Sequence, residues 1–221
     1  MKNIILYLLT FGCFLLTGCS QKIQDVQSTF NEAVFGMSDV ELSAEHINEL
    51  PYASAFVKIN DSHNIFMVLA LAESNPITGA TQLKWLSSDN AMIVTENGRI
   101  IKTLALPNYN LIALNSTELP PLSQQLTAPQ QWQATYDWMP DYRYNYQASI
   151  DVLPGEKSTL TSLIWTKEVT YLEEFVSFST LNLQFTNQYW LDNTGEVVKT
   201  RQFIGPNMAT IEMTFLKPFR S

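Results

Sequence analysis

From Ala53 onward the chain alternates with a period of two. Ala53, Ala55, Val57 and Ile59 alternate with Ser54, Phe56 and Lys58, the spacing of a strand that lays one face on a core, since successive side chains point to opposite sides of a sheet. Ile65 to Ala72 is a continuous apolar run suited to a strand covered on both faces. Strands follow at Gln82 to Leu86 and Ala91 to Thr95, and then Asn97-Gly98, the strongest hairpin signal in the chain, because a type I′ turn needs positive φ at both central residues. A two-residue loop there sets Glu96 opposite Arg99 and Val94 opposite Ile101, with the charge pair and the apolar pair supporting one register. Between Pro107 and Gln131 the pattern lapses into Pro120-Pro121, Pro129 and many Ser, Thr and Gln residues, which reads as a long connection or a subdomain boundary.

Beyond it the alternation returns. Tyr142, Tyr144, Tyr146, Ala148, Ile150 and Val152 define one face of a half-buried strand, Pro154-Gly155 turns the chain, and strands run near Thr159 to Ile164 and Thr166 to Phe178. Leu181, Leu183, Phe185, Tyr189 and Leu191 alternate up to Asn193-Thr194-Gly195, a three-residue loop with glycine at its left-handed position. Glu196 to Ile204 and Ala209 to Phe215 complete an antiparallel meander. The expected fold is mainly β: a meander closing into a sandwich or a partly open barrel. Two helices precede it. Residues 21–36 carry Ile23, Val26, Phe30, Ala33 and Val34 at helical spacing and predict an amphipathic helix. A short helix begins with Ser43 as N-cap and Glu45 in its first turn, and stops before Pro51.

The first residues are of another kind. Lys2 is followed by thirteen almost wholly apolar residues, Ile4 to Leu16, and then by Leu16-Thr17-Gly18-Cys19. The run is shorter than the roughly 20 residues a spanning helix needs, and the pattern is that of a bacterial lipoprotein signal whose Cys19 is acylated and becomes the first residue. Several acyl chains on one residue make a lasting membrane anchor. Ser20 follows where an Asp would mark inner-membrane retention, which favours a lipid-anchored, periplasm-facing place at the outer membrane. The organisation expected is therefore a signal peptide over 1–18, a lipidated tether over 19–40 and an all-β domain over 41–221, with two β subdomains if 107–131 divides it.

Composition narrows the chemistry. Cys13 leaves with the leader and Cys19 is acylated, so the mature domain has no thiol or disulfide. Of 13 basic and 21 acidic residues only Lys2 lies in 1–18, and the acidic remainder makes nucleic acid an unsuitable partner. The glycines are too scattered for a phosphate-cradling loop, so no nucleotide is expected. With only His46 and His63, no Cys/His metal site can be assembled; His63 sits in a turn with no nucleophile elbow near it in sequence. No cofactor is expected. Asp137 and Asp141 flank Trp138-Met139-Pro140, with Trp132, Tyr142 and Tyr144 close by. Paired acids beside rings are how glycosidases hold and cleave sugars, and rings alone make a sugar platform. The same rings also suit the core face of a sheet. Glu173 and Glu174, adjacent on a strand, point to opposite faces and cannot cooperate.

Leu50-Pro51-Tyr52-Ala53-Ser54-Ala55, the run Leu83 to Met92, Asn97-Gly98-Arg99 with Lys102-Thr103, and Tyr189-Trp190 with Gly195, Gln202 and Gly205-Pro206 together resemble the YjbF/GfcB family of group 4 capsule polysaccharide lipoproteins. The resemblance spans essentially the whole mature chain. It implies an all-β outer-membrane lipoprotein acting in the production or export of an exopolysaccharide or capsule, and it brings no catalytic residues with it. The leading expectation is a non-enzymatic accessory factor that contacts the export proteins or the polymer. The alternatives are a glycosidase-like enzyme using Asp137 and Asp141, or a polysaccharide-binding module with Trp132, Trp138, Tyr142 and Tyr144 as its platform.

Overall fold

A computed structural model describes residues 42–60 and 62–220; the expected lipidation site Cys19 and the amphipathic helix expected over 21–36 lie outside the described residues. The chain from Leu42 opens on α1 (Ala44–Glu49), where Ser43 accepts a hydrogen bond from the His46 N–H as N-cap. This satisfies one of the amide donors left free at a helix start. The Lys217 ammonium donates to the Asn48 and Leu50 carbonyls at the other end.

Thirteen strands follow: β1 (Ser54–Ile59), β2 (Ile65–Ser74), β3 (Thr81–Ser87), β4 (Met92–Glu96), β5 (Arg99–Leu104), β6 (Asn110–Asn115), β7 (Gln130–Met139), β8 (Arg143–Leu153), β9 (Lys157–Thr161), β10 (Thr166–Phe178), β11 (Leu183–Asp192), β12 (Val197–Phe203) and β13 (Thr210–Lys217). They form one antiparallel sheet in the order β5-β4-β3-β2-β1-β13-β12-β11-β10-β8-β7-β6, with β9 paired to the first half of β10. The path is a meander closed by β1 on β13, and its two ends, β5 and β6, lie side by side. The fold is the partly open barrel of the two expected forms.

No backbone ladder joins β5 to β6. Side chains bridge the seam at one end: the Leu111 N–H donates to Thr103 Oγ1 at 2.9 Å, and Thr103 Oγ1 donates to Asn110 Oδ1 at 3.2 Å. Inside, alternating positions fill the barrel with rings. Phe178 lies 5.3 Å from Tyr136, 5.9 Å from Trp138 and 5.9 Å from Phe185, edge-on or tilted as ring quadrupoles prefer. With the surrounding aliphatic side chains these rings form one packed hydrophobic core.

Three expectations are corrected. At Asn97-Gly98 both residues have positive φ, as a type I′ turn requires, and Glu96 does face Arg99. A bulge then displaces Ile101, so that Val94 faces Lys102. Nor do Glu96 and Arg99 pair by charge, since Glu96 binds Asn75, Thr78 and Gln82 while Arg99 binds Glu174. Gly98 has a second reason to be glycine, because a Cβ there would come within 2.5 Å of the Val197 side chain. Finally, residues 107–131 do not interrupt the sheet. They contain β6, which pairs with β7, and a return segment whose Leu119, Leu122 and Leu126 pack on the core. Gln124 in that segment donates to the Asp192 carbonyl.

Candidate functional site

The interior carries a polar network. Arg99, at the start of β5, is 1% exposed and reaches the carboxylate of Glu174 on β10, itself 1% exposed, with Nε at 2.8 Å and Nη2 at 2.6 Å. Its Nη1 donates to the Pro120 carbonyl at 2.6 Å, and the guanidinium lies 5.1 Å from the Trp132 ring. The Tyr189 hydroxyl on β11 donates to Glu174 Oε2 at 2.7 Å and lies 3.0 Å from Gln202 Oε1 on β12. Gln202 Oε1 accepts from the Ile100 N–H at 3.0 Å, and its Nε2 donates to the Gly98 carbonyl at 3.0 Å. Burial works against the Arg99 charge, but the adjacent Glu174 outweighs it and holds the guanidinium above its ordinary pKa. Burial and Glu174 together push the Tyr189 and Tyr136 hydroxyls up. Arg99, Tyr189 and Tyr136 therefore keep one protonation state at neutral pH. Sealed from water, the network ties β5 to β10, β11 and β12 and offers no surface to a substrate.

An accessible candidate is the groove at the β5/β6 seam, a cavity of about 770 Å³. Its wall on one side is the outer face of β2 to β5 with the Asn75–Ala80 loop folded over it; on the other it is β6 and the outer face of β7 and β8. The loop is held by Glu96. Its Oε1 accepts from Thr78 Oγ1 at 2.8 Å, and its Oε2 accepts from Asn75 Nδ2 at 2.7 Å and Gln82 Nε2 at 3.0 Å. Glu73 is paired with Lys84 at 2.5 Å. Both acids in the groove are thus engaged, and neither is placed as a general acid or base. Opposite them, Asn115, Thr135 and Gln147 stand in one cross-strand row on β6, β7 and β8.

The residues singled out in the sequence separate in space. Trp132 and Trp138 are each 6% exposed and belong to the core, so neither indole is a platform. Trp138 is packed against Tyr146 with the rings tilted and 4.8 Å apart, and Trp132 lies against Arg99. Tyr142 and Tyr144 are 72% and 53% exposed at the β7–β8 hairpin tip. The face they were expected to share with Tyr146 to Val152 is buried only from Ala148 onward. Asp137 Oδ1 accepts from the Asn145 N–H at 2.6 Å and so serves the turn, while Asp141 is exposed, 4.0 Å from Arg143. His63 is exposed. Glu173 and Glu174 do point apart, Glu174 into the core and Glu173 to the Tyr171 hydroxyl. Among the described residues no three His, Cys, Asp or Glu side chains gather as metal ligands, and no helix is long and apolar enough to cross a membrane.

The family model for the group 4 capsule polysaccharide lipoproteins GfcB and YjbF matches residues 27–216. The chain belongs to this family. Two similar proteins of Escherichia coli K12 are the uncharacterized lipoprotein GfcB, 31% identical over 96% of this chain and 97% of that one, and the uncharacterized lipoprotein YjbF, 31% identical over 93% and 94%. The crystal structure of the hypothetical lipoprotein YmcC from the same organism shares the fold at a TM-score of 0.74 and 29% identity, covering 93% of this chain and all of that one. Within the GfcB/YjbF frame the motif residues acquire a physical meaning: Gly98, Arg99, Tyr189 and Gln202, which carry the resemblance, build the interior network. The sequence held a signal for it, since Glu174 falls in phase with Leu172, Val176 and Phe178 on the inward face of β10. The groove left no such signal, because its residues come from strands far apart in the chain.

Proposed function

We propose that this GfcB/YjbF family member is an outer-membrane lipoprotein, anchored through Cys19 and facing the periplasm, that serves capsule or exopolysaccharide production or export as a non-enzymatic accessory factor. Membership of a capsule polysaccharide lipoprotein family across 27–216 carries the reading. The Leu16-Thr17-Gly18-Cys19 signal with Ser20 after it supports the anchor and its membrane. The non-enzymatic part is supported by the engagement of the candidate acids: Asp137 in its turn, Glu73 with Lys84, and Glu96 with the Asn75–Ala80 loop. What it contacts is the export machinery or the polymer.

The test is tethering. A Cys19→Ala variant carried into the periplasm behind an ordinary secretory leader is expected to fail to restore polysaccharide output to cells lacking the protein, while the lipidated protein restores it. Full restoration by the untethered variant would refute the anchored role.

A further inference from the structure

We infer that the β5/β6 seam groove is a binding site for an uncharged, hydroxyl-rich segment of a polysaccharide chain. The inference rests on the reading above and names the place where the polymer would be met. The volume of about 770 Å³ lies in the range of ligand clefts, roughly 300–1,000 Å³. Its chemistry is mixed in the way a sugar is mixed. The part-exposed Ile112, Ala113 and Leu114 supply apolar surface, suited to the C–H faces of a pyranose ring.

Above that surface stand side chains with hydrogen-bonding capacity to spare. Asn115, Thr135, Gln147, Gln133 and Lys102 make no side-chain hydrogen bond or ion pair within the described residues, and all but the half-exposed Thr135 are exposed. Amides and hydroxyls both donate and accept, as sugar hydroxyls do. The Asn115–Thr135–Gln147 row runs across three strands, spaced by the roughly 4.8 Å between neighbouring strands, so it presents a repeating set of partners to an extended chain.

Charge selects among polymers. On a molecule of net charge −8 the groove is locally neutral, with Glu73 set against Lys84 and the loop-bound Glu96 against Lys102. A polyanion gains nothing from such a surface, whereas an uncharged polyol loses nothing. With both groove carboxylates already engaged, the site holds the chain and does not cleave it.

The experiment is a calorimetric titration of the full-length lipidated protein in detergent micelles with oligosaccharides from partial hydrolysis of the producing cells' own capsule. The wild type is expected to bind, with affinity changing by less than about twofold between about 0.05 and 0.5 M salt, because no net charge is neutralised. A Thr135→Ala/Gln147→Ala variant, altered only on the outer face, is expected to bind about tenfold or more weakly through the loss of two hydrogen-bonding groups. Tyr142→Ala/Tyr144→Ala should bind as the wild type does. The inference is overturned if the wild type does not bind, if the groove variant binds unchanged, or if the tyrosine variant is the one that fails. It is also overturned if the groove variant keeps its sugar affinity and instead loses an export protein that co-purifies with the wild type. Polysaccharide output separates this inference from the reading beneath it. A groove variant that loses sugar binding but sustains full output leaves the site standing and removes its role in secretion.

Discussion

Arg99 shows how a single residue can be read correctly for position and wrongly for partner. It does sit directly across the Asn97-Gly98 turn from Glu96, but the two side chains part: Glu96 grips the Asn75–Ala80 loop over the groove, and Arg99 meets Glu174 in the core. A buried ion pair gains little over apolar packing of the same shape, whereas breaking it strands a charge out of water. Replacing Arg99 with Met should therefore cost about 3–5 kcal/mol in chemical denaturation. Adding Glu174→Leu should recover much of that loss. A double variant no more stable than Arg99→Met would show that the network's value lies in Tyr189, Gln202 and Pro120 and not in the charge pair.

At the scale of elements, the hairpin between β11 and β12 is a place where turn chemistry and electrostatics meet. Gly195 takes a φ of +88° and its N–H donates to the Asp192 carbonyl at 2.9 Å, the three-residue loop expected from Asn193-Thr194-Gly195. The Asp192 carboxylate accepts from the Thr194 hydroxyl and N–H and pairs with Lys167 on β10 at 2.5 Å. Burial alone would raise its pKa; the bonds from Lys167 and Thr194 outweigh it and hold the carboxyl below the ordinary aspartate range. The unfolded chain then binds more protons than the folded one in acid, so stability rises with pH there. The stabilising contribution is complete above about pH 4, where an unfolded aspartate is ionised, and vanishes as the pH falls through the lower folded-state value. Thermal melts of the wild type and Asp192→Asn should differ by a constant gap from pH 7 down to about 5, and the gap should close as the pH falls below the ordinary aspartate range. A gap independent of pH would assign Asp192 a steric role only.

For the molecule from Leu42 onward, one sheet passes through every strand, and the return segment after β6 is pinned by Arg99 to the Pro120 carbonyl. Few contacts are then left for a boundary within 107–131. Unfolding is expected to be a single cooperative transition, with tryptophan fluorescence, far-ultraviolet circular dichroism and calorimetry reporting one midpoint. Two separated midpoints would restore the division into β subdomains joined by that connection.

What the sequence determined by itself was local. Period-two alternation, turn glycines and asparagines and the Ser43 cap are all properties of a few neighbouring residues, and strands such as β1, β8 and β11 were legible because one buried face imposes its rhythm on consecutive positions. β6 escaped because its short apolar stretch, Leu111 to Leu114, sits among Pro, Ser and Gln residues with no alternation to announce it. Tertiary structure decided the rest. Alternation says that Trp132, Trp138, Tyr142 and Tyr144 lie on a face, but only the partly open barrel puts the two indoles inside and leaves the two phenols past the buried part of β8. It also decided that Thr135 and Gln147, on the outward side of the same strands, would line a groove with Lys102 of β5. That groove exists because the barrel's last seam is closed by side chains where a backbone ladder would have filled it. A seam of this kind arises from the meeting of the two ends of a sheet, and no single stretch of sequence contains both.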